Sequence, residues 1–499
     1  MFRSIQLDTR SDTPLYKQLA DALNALIEGS LLPTGARLPA TRELAGLLRV
    51  NRTTVSAAYS VLEEQGVIEG QVGRGSFVCA RKWRSDGVLP HWDRLLPAPP
   101  MASARVDTHG KGKRPSISFA SSRPAEDSFP LAAFRAAVQT AVKGPEASAI
   151  LQLGSPRGYH PLRSFLLEGA RSEGVARADD DLIITNGCQQ GLDLIARVFA
   201  GGLSTSLEVA LEDPVYHGMP RIFARAGAEL HGVPVDDWGM QPEALAKVLD
   251  RHHPRLLIVT PSFQNPTGGT LPAERRSRII ALAQRYDCVV VENDIYSALH
   301  YDAPPPPALK RLDESGNVIL LRSYSKVSFP GLRVGWIIAP WPVIARLAEA
   351  KEISDLHSDQ LSQAVLLQFA QSGELQRHLD QTRVEGRARL EAADSACARF
   401  LPEGTRWKCP EGGLNLWLEL PSPLLAETVL EASLPAGVDY LPGHVFSIRG
   451  GHRRHLRLSF GCLTPKQITR GIQILGEIAH ELLLQSEDRS VQDRTAALV

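Results

Sequence analysis

Apolar positions recur at helical spacing over Leu15, Leu19, Leu23, Leu26 and Ile27, and Gly29 and Pro33 stop the run. A short second helix is predicted from Thr41, which is placed to cap it, to about Leu48. After the turn Arg49-Val50-Asn51 a third begins at Arg52, with Val55, Tyr59 and Leu62 at core spacing. Two helices across a turn of about three residues form a helix-turn-helix. The second of them opens with Arg52, Thr53 and Thr54, short or basic side chains that can approach a DNA groove. Residues 67–69 and 76–78 read as short strands around a glycine-arginine tip, where Arg74 suits a minor-groove or phosphate contact.

Periodicity fades over residues 81–115, which Pro90, Pro97, Pro99, Pro100 and Pro115 interrupt, so this segment reads as a flexible linker. Beyond it, apolar runs at 182–185, 208–211, 256–260, 289–291, 318–321 and 334–338 alternate with helical patterns. Such interleaving predicts an α/β domain whose mostly parallel sheet is buried on both faces, with ligand groups gathered at strand ends. The predicted organisation is a DNA-binding domain over 1–80, the linker over 81–115, and a large domain over 116–499 with a smaller α/β subdomain over roughly 375–490.

Charge adds a constraint. Lys plus Arg and Asp plus Glu both number 55, so no whole-chain attraction to nucleic acid or membrane follows. Residues 1–80 hold eight basic against eight acidic side chains, so any DNA contact must be local, at Arg42, Arg52 and Arg74. The six cysteines form no close pair, which argues against a disulfide framework or zinc knuckle and suits a reducing cytoplasm. His252-His253 and the run from Gly451 to His455 lack ligand partners at metal spacing and read as solvated turns; no metal is expected. No signal peptide or membrane span is expected either.

The chemistry centres on Arg322-Ser323-Tyr324-Ser325-Lys326 and, seven residues after the lysine, Arg333. A lysine behind hydroxyl residues at a strand end suits imine formation with an aldehyde cofactor whose phosphate Ser323 and Arg333 hold. Other strand ends supply companions. Gly187, Cys188 and Gln189 open a helix where amides can meet a phosphate, Tyr216 is placed to stack on a flat ring, and Asn265 lies in a rigid Asn-Pro-Thr-Gly turn. Arg457 sits in an apolar strand, where a carboxylate partner would suit it.

Two resemblances follow from these motifs. Leu38-Pro39-x-x-Arg42-x-Leu44-Ala45, Arg52-x-Thr54-Val55-x-x-Ala58-Tyr59 and Gly73-x-Gly75-x-Phe77-Val78 resemble the winged helix-turn-helix of GntR-type bacterial regulators. That implies DNA contacts at Arg42, Arg52, Thr53, Thr54 and Arg74. Residues 120–485 resemble the fold-type-I aminotransferases that use pyridoxal 5'-phosphate. This resemblance implies Lys326 as the imine lysine, Gly187, Cys188, Gln189, Ser323 and Arg333 around the phosphate, and Tyr216 on the ring. It further implies Asn265 and Tyr296 at the phenolic oxygen, Arg457 for a substrate carboxylate, and a homodimer in which Tyr159 reaches the partner's phosphate.

The family's pattern puts a carboxylate against the pyridine nitrogen three residues before the tyrosine, and here that residue is Asn293, with Asp294 next to it. Alternation along a strand turns neighbours to opposite faces, so one or the other serves, with Asn293 slightly preferred.

The combined layout resembles the MocR subfamily. It implies a cytoplasmic transcription regulator that senses a small amino-compound effector through Lys326 and reads an operator with paired half-sites. The alternative readings are a working aminotransferase with a vestigial or regulatory amino-terminal domain, and a regulator whose large domain only dimerises.

Overall fold

The computed structural model describes residues 116–496 apart from 203–205, with side chains to 486. It also describes most of 2–79, but not 3, 4, 6, 9, 10, 12, 29–31, 33, 34 or 72–74. Arg74 and the linker over 81–115 therefore lie outside the described residues. The chain divides into two compact units, Met1–Ala98 and Pro99–Val499.

In the smaller unit α1 (Leu15–Glu28), α2 (Thr41–Leu48) and α3 (Arg52–Glu64) precede an antiparallel hairpin of β1 (Ile68–Gln71) and β2 (Gly75–Val78), with Ile68 opposite Val78 and Gln71 opposite Gly75. Leu19, Leu23, Leu44, Val55, Ala58, Tyr59, Leu62, Ile68 and Val78 close one apolar core. Thr41 is the first helical residue of α2, not its cap; Ala40 holds the capping position, and no side chain caps this helix. Asn51 caps α3 by accepting a hydrogen bond from the Thr53 amide at 3.2 Å.

Among the described residues the larger unit begins with β3 (Ile117–Ser118) and is organised on an eight-stranded sheet. Its strands are β4 (Asp180–Asn186), β5 (Glu208–Asp213), β6 (Glu229–Asp236), β7 (Gly239–Met240), β8 (Leu256–Val259), β9 (Val289–Asn293), β10 (Val318–Ser323) and β11 (Val334–Pro340). They lie in the order β4-β11-β10-β9-β8-β5-β6-β7. The central strands are parallel, and β11 runs antiparallel to both its neighbours. Alternate residues bury on opposite faces: Leu256 and Ile258 pack in one core, Leu257 and Val259 in the other. That double burial explains why these strands read as unbroken apolar runs.

A second, antiparallel sheet of β12 (Arg406–Trp407), β13 (Asn415–Glu419), β15 (Leu441–Pro442) and β16 (His455–Ser459) packs with the long helices Glu374–Phe400 and Pro465–Ala496, while β14 (Val438–Asp439) pairs with β3. Ile117 and Phe119 belong to this same core. The run from Gly451 to His455 is not a purely solvated turn, because the His455 ring stacks on Trp417 at 5.2 Å and His452 meets the same indole edge-on. Likewise His252 stacks on His231 at 3.8 Å.

Candidate functional site

In the smaller unit the start of α3 presents Arg52 and Thr53 to solvent, with Thr54 half-buried beside them and Arg42 exposed on α2. Neither arginine pairs with a carboxylate among the described residues. The Tyr59 hydroxyl donates to the Pro39 carbonyl at 2.8 Å, which ties α3 to the entry of α2, and burial raises its phenol far above the ordinary range. The Thr53, Thr54 and Val55 amides are taken up by Asn51, so what this helix start offers a phosphate is the charge of Arg52.

In the larger unit the strand ends converge on a cavity of about 200 Å3 lined by Cys188, Gln189, Tyr216, Thr260, Asn265, Asn293, Ile295, Tyr296, Ser323, Ser325, Lys326 and Arg333. Lys326 follows β10 and donates from Nζ to the Ser122 carbonyl, with the Tyr296 ring centroid 5.7 Å away. Ser323 Oγ donates to the Val334 carbonyl and lies 2.9 Å from Ser325 Oγ, so the two hydroxyls are held side by side. Arg333 donates to the Asn186 carbonyl at 3.2 Å. Gly187 has φ +75°, and a Cβ there would stand 2.3 Å from Arg333 Nη2, so only glycine lets this guanidinium lie over the start of the helix Gly187–Ala200. Burial pushes the Cys188 thiol up to about 12, leaving it an uncharged wall.

Opposite these groups, Asn265 Nδ2 lies 3.4 Å from the Tyr296 hydroxyl, and Asn265 Oδ1 accepts from Arg457 Nη1 at 3.2 Å. Burial would raise the Tyr296 phenol, yet the positive charge of Lys326, together with hydrogen bonding from Ser122 and Asn415 and the charge of Arg457, outweighs it and holds the group below its ordinary value. Arg457 is 2% exposed and its second amino group donates to the Ala120 carbonyl, while Nε has no partner and no carboxylate pairs with it among the described residues. Burial pushes this guanidinium down to about 10.

Asn293 and Asp294 part company at the end of β9. Asn293, 5% exposed, lines the cavity, with Nδ2 3.3 Å from Thr260 Oγ1 and Oδ1 unpartnered. Asp294 does not line it; its Oδ2 accepts from Arg322 Nε at 2.9 Å, on the side of a separate hollow walled by Pro304 to Pro307.

Residues 116–475 match the family described as aminotransferase class I and II. The chain belongs to that family. Residues 15–78 match the bacterial regulatory proteins of the gntR family, so this aminotransferase-family chain also carries a DNA-binding reader of that type. Regulators share both parts. The chain is 30% identical to the uncharacterized HTH-type transcriptional regulator YdfD of Bacillus subtilis, over 94% of this chain and 97% of that one. It is 28% identical to the probable rhizopine catabolism regulatory protein MocR of Rhizobium meliloti, over 98% of each. Among solved structures it resembles LysN, the α-aminoadipate aminotransferase of Thermus thermophilus, with 34% identity, a TM-score of 0.68 and coverage of 74% of this chain and 93% of that one. The protein is thus a GntR-type regulator fused to an aminotransferase-like unit, as in MocR.

Membership of the aminotransferase family implies pyridoxal phosphate, and the residues present fit it. Gly187 clears space for Arg333 at the start of a helix, Lys326 stands at the cavity, and Arg457 is a buried guanidinium with no carboxylate partner among the described residues. Of the residues named from sequence, Cys188, Gln189, Tyr216, Asn265, Asn293, Tyr296, Ser323, Lys326 and Arg333 share one cavity. Gly187 underlies it, and Arg457 stands behind Asn265. Asp294 and Tyr159 are not brought to it; the Tyr159 hydroxyl instead donates to Glu146 at 2.5 Å.

Sequence reasoning passed over Thr260, Ser122 and Ala120. Thr260 could have been found as the polar residue ending an apolar run. The other two act through backbone carbonyls, for which side-chain identity carries no signal.

Proposed function

We propose that this protein is a pyridoxal-phosphate-dependent transcription regulator whose large unit holds the cofactor through Lys326 and senses a small amino compound bearing a carboxylate. What supports the sensing role above all is Arg457, a buried guanidinium with no carboxylate partner among the described residues, joined through Asn265 to the cavity that holds Lys326. A buried charge without a counter-ion is costly, and an effector carboxylate supplies the missing partner. Bound there, the cofactor supplies an aldehyde carbon with which amines exchange covalently.

The chain's own groups do the rest. Ser323, Ser325, Arg333 and the amides at Gly187 to Gln189 receive the phosphate; Tyr216 covers a ring face; Asn265 and Tyr296 meet the phenolic oxygen. Arg42, Arg52, Thr53, Thr54 and Arg74 contact the operator, with residues 81–115 as tether. A homodimer, in which Tyr159 serves the partner's site, would read paired half-sites. Regulation then requires that the effector favour one arrangement of the readers over another.

The test is spectroscopic and functional together. Purified protein with pyridoxal phosphate should show the absorbance of a lysine imine that Lys326→Ala removes, and an amino acid panel should contain one member that changes both this spectrum and operator binding. Sustained turnover of an amino donor with a keto acid, combined with no DNA affinity above background at physiological salt, would establish the aminotransferase reading instead.

A further inference from the structure

We propose that Asn293 meets the ring nitrogen of the bound cofactor with an amide in place of a carboxylate, so that this nitrogen stays unprotonated and the site exchanges amines without efficiently transaminating them. The inference rests on the function proposed above.

The assignment follows from the wall of the cavity. In pyridoxal phosphate the ring nitrogen lies para to the aldehyde carbon and away from the phosphate arm, so it points away from whatever holds those two. Lys326 takes the aldehyde, Ser323 and Arg333 the phosphate, and Asn265 with Tyr296 the phenolic oxygen. With Ser325 and the helix start at Cys188 and Gln189 also on the phosphate side and Tyr216 over a ring face, the polar side chains left in the lining for the ring nitrogen are Asn293 and Thr260.

None of the lining residues is an acid. Three acids on the neighbouring strand ends, Asp294, Glu292 and Glu212, stay outside the lining. Asp294 is held by Arg322, which also binds Glu173 at 3.2 Å. Glu292, on the opposite face of β9, accepts from the Leu309 and Lys310 amides at 2.8 Å each. Glu212, whose carboxyl accepts from the Thr260 amide behind the cavity, is pushed up to about 8 by burial and is therefore mostly protonated at neutral pH.

With Lys326 and Arg333 engaged by the aldehyde and the phosphate, the lining keeps no anionic side chain that would favour a pyridinium. An amide can answer a neutral ring nitrogen. With its two ends exchanged by a half-turn, the Asn293 carboxamide would accept from the Thr260 hydroxyl at Oδ1 and donate from Nδ2–H to the ring, which satisfies the atom now left without a partner.

The experiment reconstitutes full-length protein with cofactor labelled with 15N in the ring and reads its chemical shift, alongside the imine absorbance. Wild type is expected in the neutral-pyridine range. Asn293→Asp places a carboxylate within contact, which raises the nitrogen's pKa by about 1–3 units and the ratio of protonated to neutral ring by about 10- to 1,000-fold. The signal should move towards the pyridinium range, and conversion of the cofactor to its amine form by an amino acid should accelerate.

A pyridinium shift in wild type, with the imine formed and DNA still bound, overturns this inference and leaves the regulator reading standing. Absence of any imine overturns both. Because the wild-type spectrum alone decides, a poorly folded Asn293→Asp does not blunt the test.

Discussion

Replacing Arg457 by methionine separates two effects that a buried cation normally confounds. The guanidinium is 2% exposed, and burial pulls it from its ordinary value down to about 10, which at 1.36 kcal/mol per pKa unit corresponds to ~3 kcal/mol by which the charged form is disfavoured in the fold. Methionine relieves that penalty but leaves Asn265 Oδ1 and the Ala120 carbonyl without their donor, a loss of about 1–3 kcal/mol per group at most. The two nearly cancel, so thermal unfolding of the effector-free protein should shift little.

Effector binding should not be spared. Truncating one member of a buried, hydrogen-bonded charge pair costs about 2–5 kcal/mol, which is a loss of about 30-fold to several thousand-fold in affinity. The assay is a titration of the lysine–cofactor absorbance with an α-amino acid and with the amine that lacks its carboxylate, run on both proteins. Wild type should prefer the amino acid, and Arg457→Met should bind the two alike. A variant that keeps the wild-type preference, or loses less than about fivefold in affinity for the amino acid, would refute the role given to Arg457.

Three other outcomes can be checked independently. Gly187→Ala forces φ +75° on a residue with a Cβ, at about 1–2 kcal/mol, and drives that atom into Arg333; cofactor affinity, read by absorbance titration, should fall about tenfold or more, as for the loss of one charged hydrogen bond. Arg52→Ala should weaken operator and random DNA by a similar factor and lower the salt slope of binding by about 0.9, the signature of one lost phosphate contact. Glu212 has its folded pKa raised from 4.5 to about 8, so across that interval the folded state holds a proton that the unfolded chain has released. Stability attributable to this group is therefore complete below the lower value and declines as pH rises towards the upper. Glu212→Gln should flatten the decline of the unfolding midpoint between about pH 5 and 8, and parallel profiles for the two proteins would dismiss it.

Much of the fold was legible because its physics is local. Strands buried on both faces must be apolar throughout, and β4, β5, β8, β9, β10 and β11 all announced themselves that way. β6 did not, since Glu229–Asp236 is largely half-exposed and carries His231, Gly232 and Pro234, with no apolar run. Thr41 misled as a cap because helix starts are set by backbone geometry, and the chain turns one residue earlier. The pair Asn293 and Asp294 marks where sequence alone stops: alternation dictates that they face opposite ways, but which one faces the cavity depends on the partner waiting on the other side. Arg322, on the neighbouring strand β10, takes Asp294 and leaves Asn293 to the cavity.

One stretch of main chain has a consequence of its own. Ala120 and Ser122 lend their carbonyls to the two cations of the site, Arg457 and Lys326, and Phe119 is stitched to β16 by accepting from the Ser459 amide at 2.9 Å. An anion arriving at Arg457 competes with the first carbonyl, and covalent use of Lys326 withdraws the donor from the second. These residues begin only a few positions after residue 115, the end of the segment read from sequence as a linker. An effector bound as proposed would therefore draw on the hydrogen bonds that hold residues 119–122, so the main chain itself would register occupancy.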